Sequence, residues 1–442
     1  MAFLTSSDKA LWHLALPMIF SNITVPLLGL VDTAVIGHLD SPVYLGGVAV
    51  GATATSFLFM LLLFLRMSTT GLTAQAYGAK NPQALARALV QPLLLALGAG
   101  ALIALLRTPI IDLALHIVGG SEAVLEQARR FLEIRWLSAP ASLANLVLLG
   151  WLLGVQYARA PVILLVVGNI LNIVLDVWLV MGLHMNVQGA ALATVIAQYV
   201  SGVGMTLYVL FRCRDLLPGR GEVHFSRPIL KEIANLSTLT CVQQSVMNFG
   251  ILMVQGLVNS FGPTVMAAFA AAVKIDTFAY LPVQDFGNAY STFVAQNYGA
   301  GDLQRIRRGT RQAFLLSGTF SAVISLAVFL LAEPLMGIFV RAKETAVIAA
   351  GVQYLRIEGA CYVGIGFLFL LYGYYRAIKR AEMSVVLTVI SLGMRVLLAY
   401  ALSAVIGEVG IWLAIPIGWV LADVVGLVYM WKKPLRFSKA AD

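Results

Sequence analysis

Apolar runs about as long as a membrane is thick recur along the whole chain. Of the 442 residues, 60% are hydrophobic and only 12% are charged, whereas soluble domains carry about 25% charged residues. A helix of about 20 apolar residues crosses a bilayer. The sequence therefore predicts an all-α polytopic membrane protein with twelve spans, near residues 11–37, 45–70, 89–107, 131–156, 161–182, 188–211, 234–260, 264–290, 311–332, 350–375, 383–406 and 410–431.

The basic residues are concentrated in alternate loops between these spans. Of the 30 Lys and Arg residues, 20 fall in one set of loops and termini and six in the other set. Because basic loops stay on the cytoplasmic side, we expect both termini in the cytoplasm. This topology accounts for the net charge of +9, and no nucleic-acid partner is expected.

A loop motif occurs twice, half a chain apart. The stretch TAQAYGAKNPQALARA (73–88) and the stretch VAQNYGAGDLQRIRRG (294–309) are identical at seven of sixteen positions. Such an internal repeat of six spans each predicts two lobes related by a pseudo-two-fold axis along the membrane normal. We expect the first lobe over 1–212, a cytoplasmic linker over 213–233 and the second lobe over 234–442. The repeated loop is interpreted as a cytoplasmic turn, with a role in gating as the alternative.

Several motifs resemble those of the multidrug and toxic compound extrusion (MATE) family. They are AQxYGA after the second and eighth spans, VDTAVIGHL (31–39), NIVLD (172–176) and GAALAT (189–194). Residues up to about 197 resemble the DinF branch, whereas QGLVNSFG (255–262) and VAQNYGAG (294–301) resemble another branch, as in a chimera. The resemblance implies twelve spans in two lobes and the export of organic compounds by a monomer.

Polar residues inside the first lobe form a candidate site. Carboxylates inside a span are costly and point to function, which singles out Asp32 and Asp176. Asn169, Asn172 and Asp176 are spaced so that they share one helix face, and Thr194 and Asn145 on neighbouring spans could complete the stripe. Two carboxylates in a poorly solvated pocket repel each other, which favours a bound proton on one of them. The family resemblance implies that Asp32, Asn172, Asp176 and Thr194 form a cation site.

A bend is expected in the first span near Asp32. Pro26 cannot donate a main-chain hydrogen bond, which weakens the helix, and Gly29 adds conformational freedom. Protonation of the Asp32 and Asp176 site beside this bend is a hypothetical trigger for a change of state.

The second lobe differs from the first in its polar residues. Gln244, Asn248 and Gln255 share one uncharged face of the seventh span, and Asp276 and Asp285 lie in the eighth. These five are the candidate substrate cavity. The resemblance to sodium-coupled members implies acids in the seventh and tenth spans, but here only Glu358 is a partial candidate. Arg395 needs a partner, for which Glu358 and Asp423 are the alternatives.

These features favour a secondary active exporter that exchanges H⁺ for amphipathic or cationic organic compounds by alternating access. Na⁺ coupling and a lipid-linked precursor flippase of the same superfamily remain alternatives, and a channel stays open. No cofactor, metal site or enzymatic activity is expected, because neither a phosphate-binding loop nor a catalytic or metal-ligating motif was found. The expected partners are small organic molecules and membrane lipid.

Overall fold

The structure is a computed structural model that describes the backbone of residues 6–60, 62–217 and 225–436. Within these ranges, the side chains of residues 6–8, 25–27 and 30 are not described. The described backbone is helical almost throughout. Its α-helices are α1 Ser6–Gly37, α2 Pro42–Met60, α3 Phe64–Gly78, α4 Pro82–Leu105, α5 Arg107–Val118, α6 Glu122–Arg135, α7 Ala139–Gly154, α8 Arg159–Asp176, α9 Asn186–Arg212, α10 Arg227–Asn259, α11 Pro263–Gly299, α12 Leu303–Leu330, α13 Ala332–Phe339, α14 Thr345–Gly359, α15 Tyr362–Ala377, α16 Ala381–Ile406 and α17 Glu408–Lys432.

The helices confirm the predicted fold class. Among the described residues, 10 helices are long and apolar enough to cross a membrane. The pair α14 and α15, bent by 50° at a short break, makes an eleventh candidate. α1, with 32 residues, coincides with the remaining predicted span. At 1.5 Å per residue it is about 48 Å long, which exceeds the thickness of a bilayer.

The chain divides into two compact units. The N-terminal unit comprises Leu16–Ser237, and the C-terminal unit comprises Met1–Ala15 with Thr238–Asp442. The predicted linker 213–233 lies partly outside the described residues. Its described part contains a short 3₁₀ turn, Arg214–Leu216, and the first residues of α10, which begins at Arg227.

The repeated loop is a tight connection between two helices in both units. Lys80 and Gly301, at equivalent positions, have left-handed backbones with φ of 51° and 71°. The residue that follows each of them caps the next helix, because its side chain accepts a hydrogen bond from a main-chain N–H three residues on: Asn81 from Ala84 at 3.0 Å and Asp302 from Arg305 at 2.9 Å. Such caps fix where a helix begins, so the motif specifies a sharp turn.

Two helices of the structure were missed by sequence reasoning. α5 has 12 residues and α13 has 8 residues, and each follows the third span of its unit. Arg107 at the start of α5 donates from Nε to the main-chain oxygen of Glu133 at 3.0 Å. Its Nε also lies 3.2 Å from the Glu133 carboxylate, which joins α5 to α6.

Close helix packing positions the fifth span. α8 ends at Asp176, and Val177–Gly182 continues as a π-helix. A Cβ on Gly189 of α9 would lie 3.0 Å from the main-chain carbon of Leu179 in this segment. Because only glycine fits so close an approach, α9 is held directly against the turn that follows Asp176.

Candidate proton site

A cavity of about 670 Å³ lies inside the N-terminal unit. Its wall is formed by residues of α1, α2, α6, α8 and α9. Polar side chains from these helices line it, among them Asp32, Arg135, Asn169, Asn172, Thr194 and Gln198. Four of the residues predicted for the first-lobe site, Asp32, Asn169, Asn172 and Thr194, therefore line one cavity. Arg135 adds a basic side chain to it.

Asp32 and Asp176 form a pair of carboxyl groups at this cavity, hereafter the acid pair. Asp32 lines the cavity and is half-buried, whereas Asp176 is only 1% exposed. The two carboxyl groups lie close enough to interact electrostatically. Both oxygens of Asp176 and Oδ1 of Asp32 lack a donor among the described residues. Ionised carboxylates only accept hydrogen bonds, so a proton shared by the pair satisfies two of these three atoms.

An amide and a hydroxyl lie next to the acid pair on the cavity wall. Asn172 is 3% exposed and donates from Nδ2 to the Thr194 hydroxyl at 3.4 Å. Thr194 donates in turn to the main-chain oxygen of Ala190 at 3.2 Å. Oδ1 of Asn172 has no donor in the described part of the chain. The wall thus presents a free acceptor oxygen beside the carboxyl groups.

Asn169 and Asn145 have structural contacts. Asn169 lines the cavity and donates from Nδ2 to the Thr24 hydroxyl at 3.0 Å, which links α8 to α1. Asn145, on α7, donates to both the main-chain oxygen and the side-chain Oε1 of Gln198 at 3.0 Å. Asn145 therefore holds α9 and its cavity-lining Gln198 in place.

Arg135 is a site residue that sequence reasoning missed. It lies in the last turn of α6, lines the cavity and interacts electrostatically with Asp32. Its guanidinium carbon lies 5.6 Å from the ring centroid of Phe59, and Nη1 donates to the Ser138 hydroxyl. The available signal was a charged residue inside the predicted span 131–156. With one proton shared by the acid pair and Arg135 charged, the net charge of the site is zero.

The predicted bend in the first span involves Pro26 and Gly29. The side chain of Pro26 is not described. The α1 backbone is helical from Ser6 to Gly37. Gly29 lines the cavity, and a Cβ at this position would have no atom within 4 Å. The bend itself stays a prediction.

The candidate substrate residues lie on two helices of the C-terminal unit. Gln244, Asn248 and Gln255 are half-buried on α10, and Gln255 Nε2 donates to Asn259 Oδ1 at 2.8 Å. Asp276 and Asp285 are 6% and 2% exposed on α11. The Asp276 carboxylate accepts from the Tyr362 hydroxyl at 2.6 Å. Their role as a substrate cavity stays a prediction.

Arg395 interacts electrostatically with Glu358, one of its two predicted partners. Among the described residues, no group of three or more His, Cys, Asp and Glu side chains could hold a metal ion.

Comparison with known proteins identifies the repeat and the family. The family model MatE matches the chain twice, over residues 17–178 and 240–401. The two matches begin and end 223 residues apart, as expected for an internal repeat.

Two curated relatives show how similar this chain is to members of the family. DNA damage-inducible protein F of Escherichia coli strain K12 is 68% identical over 341 residues, covering 74% of this chain and 72% of the relative. An alignment of this length extends beyond the first half of the chain. The probable multidrug resistance protein NorM of Thermotoga maritima is 28% identical over 336 residues, covering 75% of this chain and 72% of the relative.

Solved structures share the fold. A MATE transporter in its bent conformation has a TM-score of 0.89 at 24% identity, covering 97% of this chain and 95% of the other. A MOP superfamily transporter from Pyrococcus furiosus has a TM-score of 0.87 at 23% identity, covering 97% of both chains. With two matches to the family model and a relative 68% identical, this chain is a multi-pass membrane protein that belongs to the MATE family of transporters.

Proposed function

We propose that this chain is a secondary active exporter in the bacterial inner membrane, with both termini in the cytoplasm. It exchanges inward-moving protons for outward-moving amphipathic or cationic organic compounds. The observation that carries the proposal is the acid pair, in which Asp32 on the wall of a 670 Å³ cavity interacts with the almost fully buried Asp176. The names of two relatives, the multidrug resistance protein NorM and the multidrug export protein MepA, support a drug as the substrate.

The charges of the site couple proton and substrate by competition. When the acid pair is fully ionised, its two negative charges exceed the single positive charge of Arg135, which favours an organic cation. When the pair shares a proton, the net charge is zero and this attraction is lost. A proton that enters from outside therefore weakens cation binding, and loss of the proton on the cytoplasmic side restores it. Linkage of this kind is reciprocal.

Alternating access supplies the direction of transport. In transporters built from repeats, the two halves move against each other, so that the site opens to one side at a time. Because protonation and cation binding exclude each other, the site carries either a proton or an organic cation across the membrane in each half of the cycle. A proton gradient then drives export of the organic cation.

Sodium coupling is the second candidate, and the free acceptor oxygens of the site favour it. Hard cations bind carboxylate, amide and hydroxyl oxygens. Asp32, Asp176 and Asn172 all carry side-chain oxygens without a donor among the described residues. Proton coupling is preferred because one proton between Asp32 and Asp176 already satisfies two of these oxygens.

Transport of a fluorescent cationic dye into proteoliposomes tests the proposal. We would impose a pH gradient or, separately, a Na⁺ gradient, and compare the natural chain with Asp32→Asn, Asp176→Asn and the control Asp112→Asn. Asp112 is exposed and paired with Arg129 on the surface. We expect pH-driven flux in the natural chain and the control, and its loss in the two site variants, which should also bind the dye more weakly because each lacks one negative charge.

Normal pH-driven flux in both site variants would refute the acid pair as the coupling site. Dye flux that follows only the Na⁺ gradient would show that the coupling ion is sodium and not the proton. A natural chain that ignores both gradients would exclude coupled drug export and favour the flippase interpretation.

A further inference from the structure

Exposed arginines cluster where α12 begins, in the C-terminal unit. Arg305, Arg307, Arg308 and Arg311 fall within the first nine residues of this helix, and all four are exposed. The dipole of a helix is positive at its N-terminal end and disfavours a cation in the first turn. The helix alone therefore gives no reason for so many arginines at this position.

Three of these arginines share one face of α12. At 100° per residue, Arg307, Arg308 and Arg311 fall within an arc of about 100°. The buried residues Ile306 and Ala313 lie on the opposite side of the helix. The three guanidinium groups, hereafter the arginine face, therefore lie on the outside of the unit.

The arginine face continues into an apolar stripe along the same helix. Leu315, Leu326 and Phe329 fall within the same arc of about 100°, and all three are exposed. α12 has 28 residues and is one of the helices that are long and apolar enough to cross a membrane. An exposed apolar stripe on such a helix contacts the acyl chains of lipids, and long basic side chains near the helix end reach the headgroups. The arginine face thus lies at headgroup depth, directly above a surface for acyl chains.

No described acid neutralises the arginine face. Within the described ranges, none of its three side chains forms an ion pair or a hydrogen bond. Asp302, the nearest acid along the chain, instead caps the helix by accepting a hydrogen bond from the main-chain N–H of Arg305 at 2.9 Å. A guanidinium group carries five donors and no acceptor. The donors of the arginine face are therefore available to an anion from outside the chain.

Further cations lie beside the arginine face. Arg307 and Arg380, which belongs to the turn between α15 and α16, both interact electrostatically with the side chain of Tyr374. Arg380 also donates from Nη1 to the main-chain oxygen of Lys433 at 3.0 Å, which joins the end of α17 to this turn. The Lys433 ammonium lies 5.4 Å from the ring centroid of Tyr429. The same end of the unit thus presents cations from three segments of the chain.

The internal repeat shows that the turn before α12 does not require these arginines. At the separation of the two repeated loops, the equivalent positions of the first unit are Ala86, Arg87 and Val90. Both turns have a left-handed residue followed by a side-chain cap. The shape of the turn is therefore kept with one arginine in place of three. The complete arginine face belongs to the second unit alone.

We propose that the arginine face, together with Arg380, binds the phosphate headgroup of an anionic phospholipid. The phosphate oxygens accept hydrogen bonds from the guanidinium groups, whose planar shape matches a phosphate in a bidentate manner. The acyl chains lie along the exposed stripe of α12. A free phosphate ion offers the same oxygens but leaves the stripe unused, so the lipid fits both parts of the surface. This inference does not depend on the proposed transport.

Native mass spectrometry of the detergent-solubilised full chain tests the surface. Phosphatidylglycerol, which is anionic, and phosphatidylcholine, which is neutral overall, would be titrated separately with identical acyl chains. The relative peak intensities give the Kd of the first bound lipid. The test variant combines Arg307→Gln, Arg308→Gln and Arg311→Gln, which removes three charges but keeps polar side chains.

A matched control removes the same charge from another part of the chain. It combines Arg159→Gln, Arg212→Gln and Arg214→Gln, three exposed residues of the N-terminal unit. Size-exclusion elution checks that both variants are folded. A further variant replaces the arginine face by lysines, through Arg307→Lys, Arg308→Lys and Arg311→Lys, and should recover most of the lipid preference because the charge is restored.

The natural chain should bind phosphatidylglycerol at least about fivefold more tightly than phosphatidylcholine, since the attraction of one basic residue to an anionic bilayer corresponds to about fivefold in Kd. The test variant should lose this preference by at least the same factor, and the control should keep it. Equal Kd values for the two lipids in the natural chain would overturn the proposal, and so would an unchanged preference in the test variant. An equal loss in the control would do the same, because it would reduce the preference to overall charge.

The same spectra distinguish other occupants of the surface. Inorganic phosphate, added at the concentration of the lipid, should not displace phosphatidylglycerol. Displacement would assign the arginine face to a free phosphate ion and overturn the lipid. A dimer peak that disappears in the test variant would assign the surface to a second copy of the chain, with the same consequence.

Discussion

Arg135→Gln should strengthen the binding of a monovalent organic cation to the N-terminal unit. The guanidinium lines the same cavity as Asp32 and repels a cation that enters. Gln removes the charge but keeps donors for the Ser138 hydroxyl, which Arg135 contacts through Nη1. The prediction therefore isolates the charge from the local packing.

The size of the effect follows from the cavity volume. A sphere of 670 Å³ has a radius of about 5 Å, so a cation at its centre lies about that far from a charge on the wall. Two unit charges at this distance interact by about 1 kcal/mol in water and by about 3 kcal/mol at an effective dielectric constant near 20. We therefore expect the Kd for the cation to fall by roughly 5- to 150-fold.

Fluorescence anisotropy of a cationic dye bound to the detergent-solubilised protein measures this Kd. Arg130→Gln is the control, because Arg130 lies on the same helix but is exposed and paired with Glu126 at 3.0 Å. Surface pairs of this kind contribute little, so the control should bind as the natural chain does. A neutral dye should bind equally to all three proteins. Weaker or unchanged cation binding by Arg135→Gln would refute the idea that Arg135 offsets the acid pair.

Three further predictions concern pH and packing. Cation binding should weaken as the pH falls, because protonation removes negative charge, and replacing both acids of the acid pair by Asn should abolish this pH dependence in the same anisotropy assay. Asn145→Leu should lower the thermal unfolding temperature, because it removes two hydrogen bonds to Gln198. Hydrogen bonds between membrane helices contribute about 0.6 kcal/mol each. An unchanged unfolding temperature would contradict a stabilising role of these two bonds. Gly189→Leu should abolish recovery of folded protein, because its Cβ would lie 3.0 Å from the main chain of Leu179. Gly98→Leu, with no atom within 4 Å of its Cβ, is the control and should be recovered normally.

The sequence predicted the spans because length and apolarity are local properties. Each predicted span corresponds to one helix or to two consecutive helices, as in the tenth, which breaks between Gly359 and Tyr362. The short helices α5 and α13 were missed because 12 and 8 residues are too few to cross a bilayer. α9 packs closely against the π-helix after Asp176, and a local sequence pattern does not report such a contact.

The candidate proton site was only partly accessible from the sequence. Helical spacing placed Asn169 and Asn172 on one face, and the structure puts both on the cavity wall. Asn145, on a neighbouring span, was expected to complete this stripe, but its contacts are with Gln198. Arg135 was not predicted, because the sequence does not show that the end of α6 faces the same cavity as Asp32.

The two units reach the same charge composition by different routes. The N-terminal unit combines the acid pair with Arg135, and the C-terminal unit combines Asp276 and Glu358 with Arg395. The base lies in the fourth span of the first unit but in the fifth span of the second, and the acids are likewise on different helices. Under the proposed mechanism, one proton shared by the acid pair makes the cluster of the N-terminal unit neutral, and its release leaves one negative charge inside the membrane.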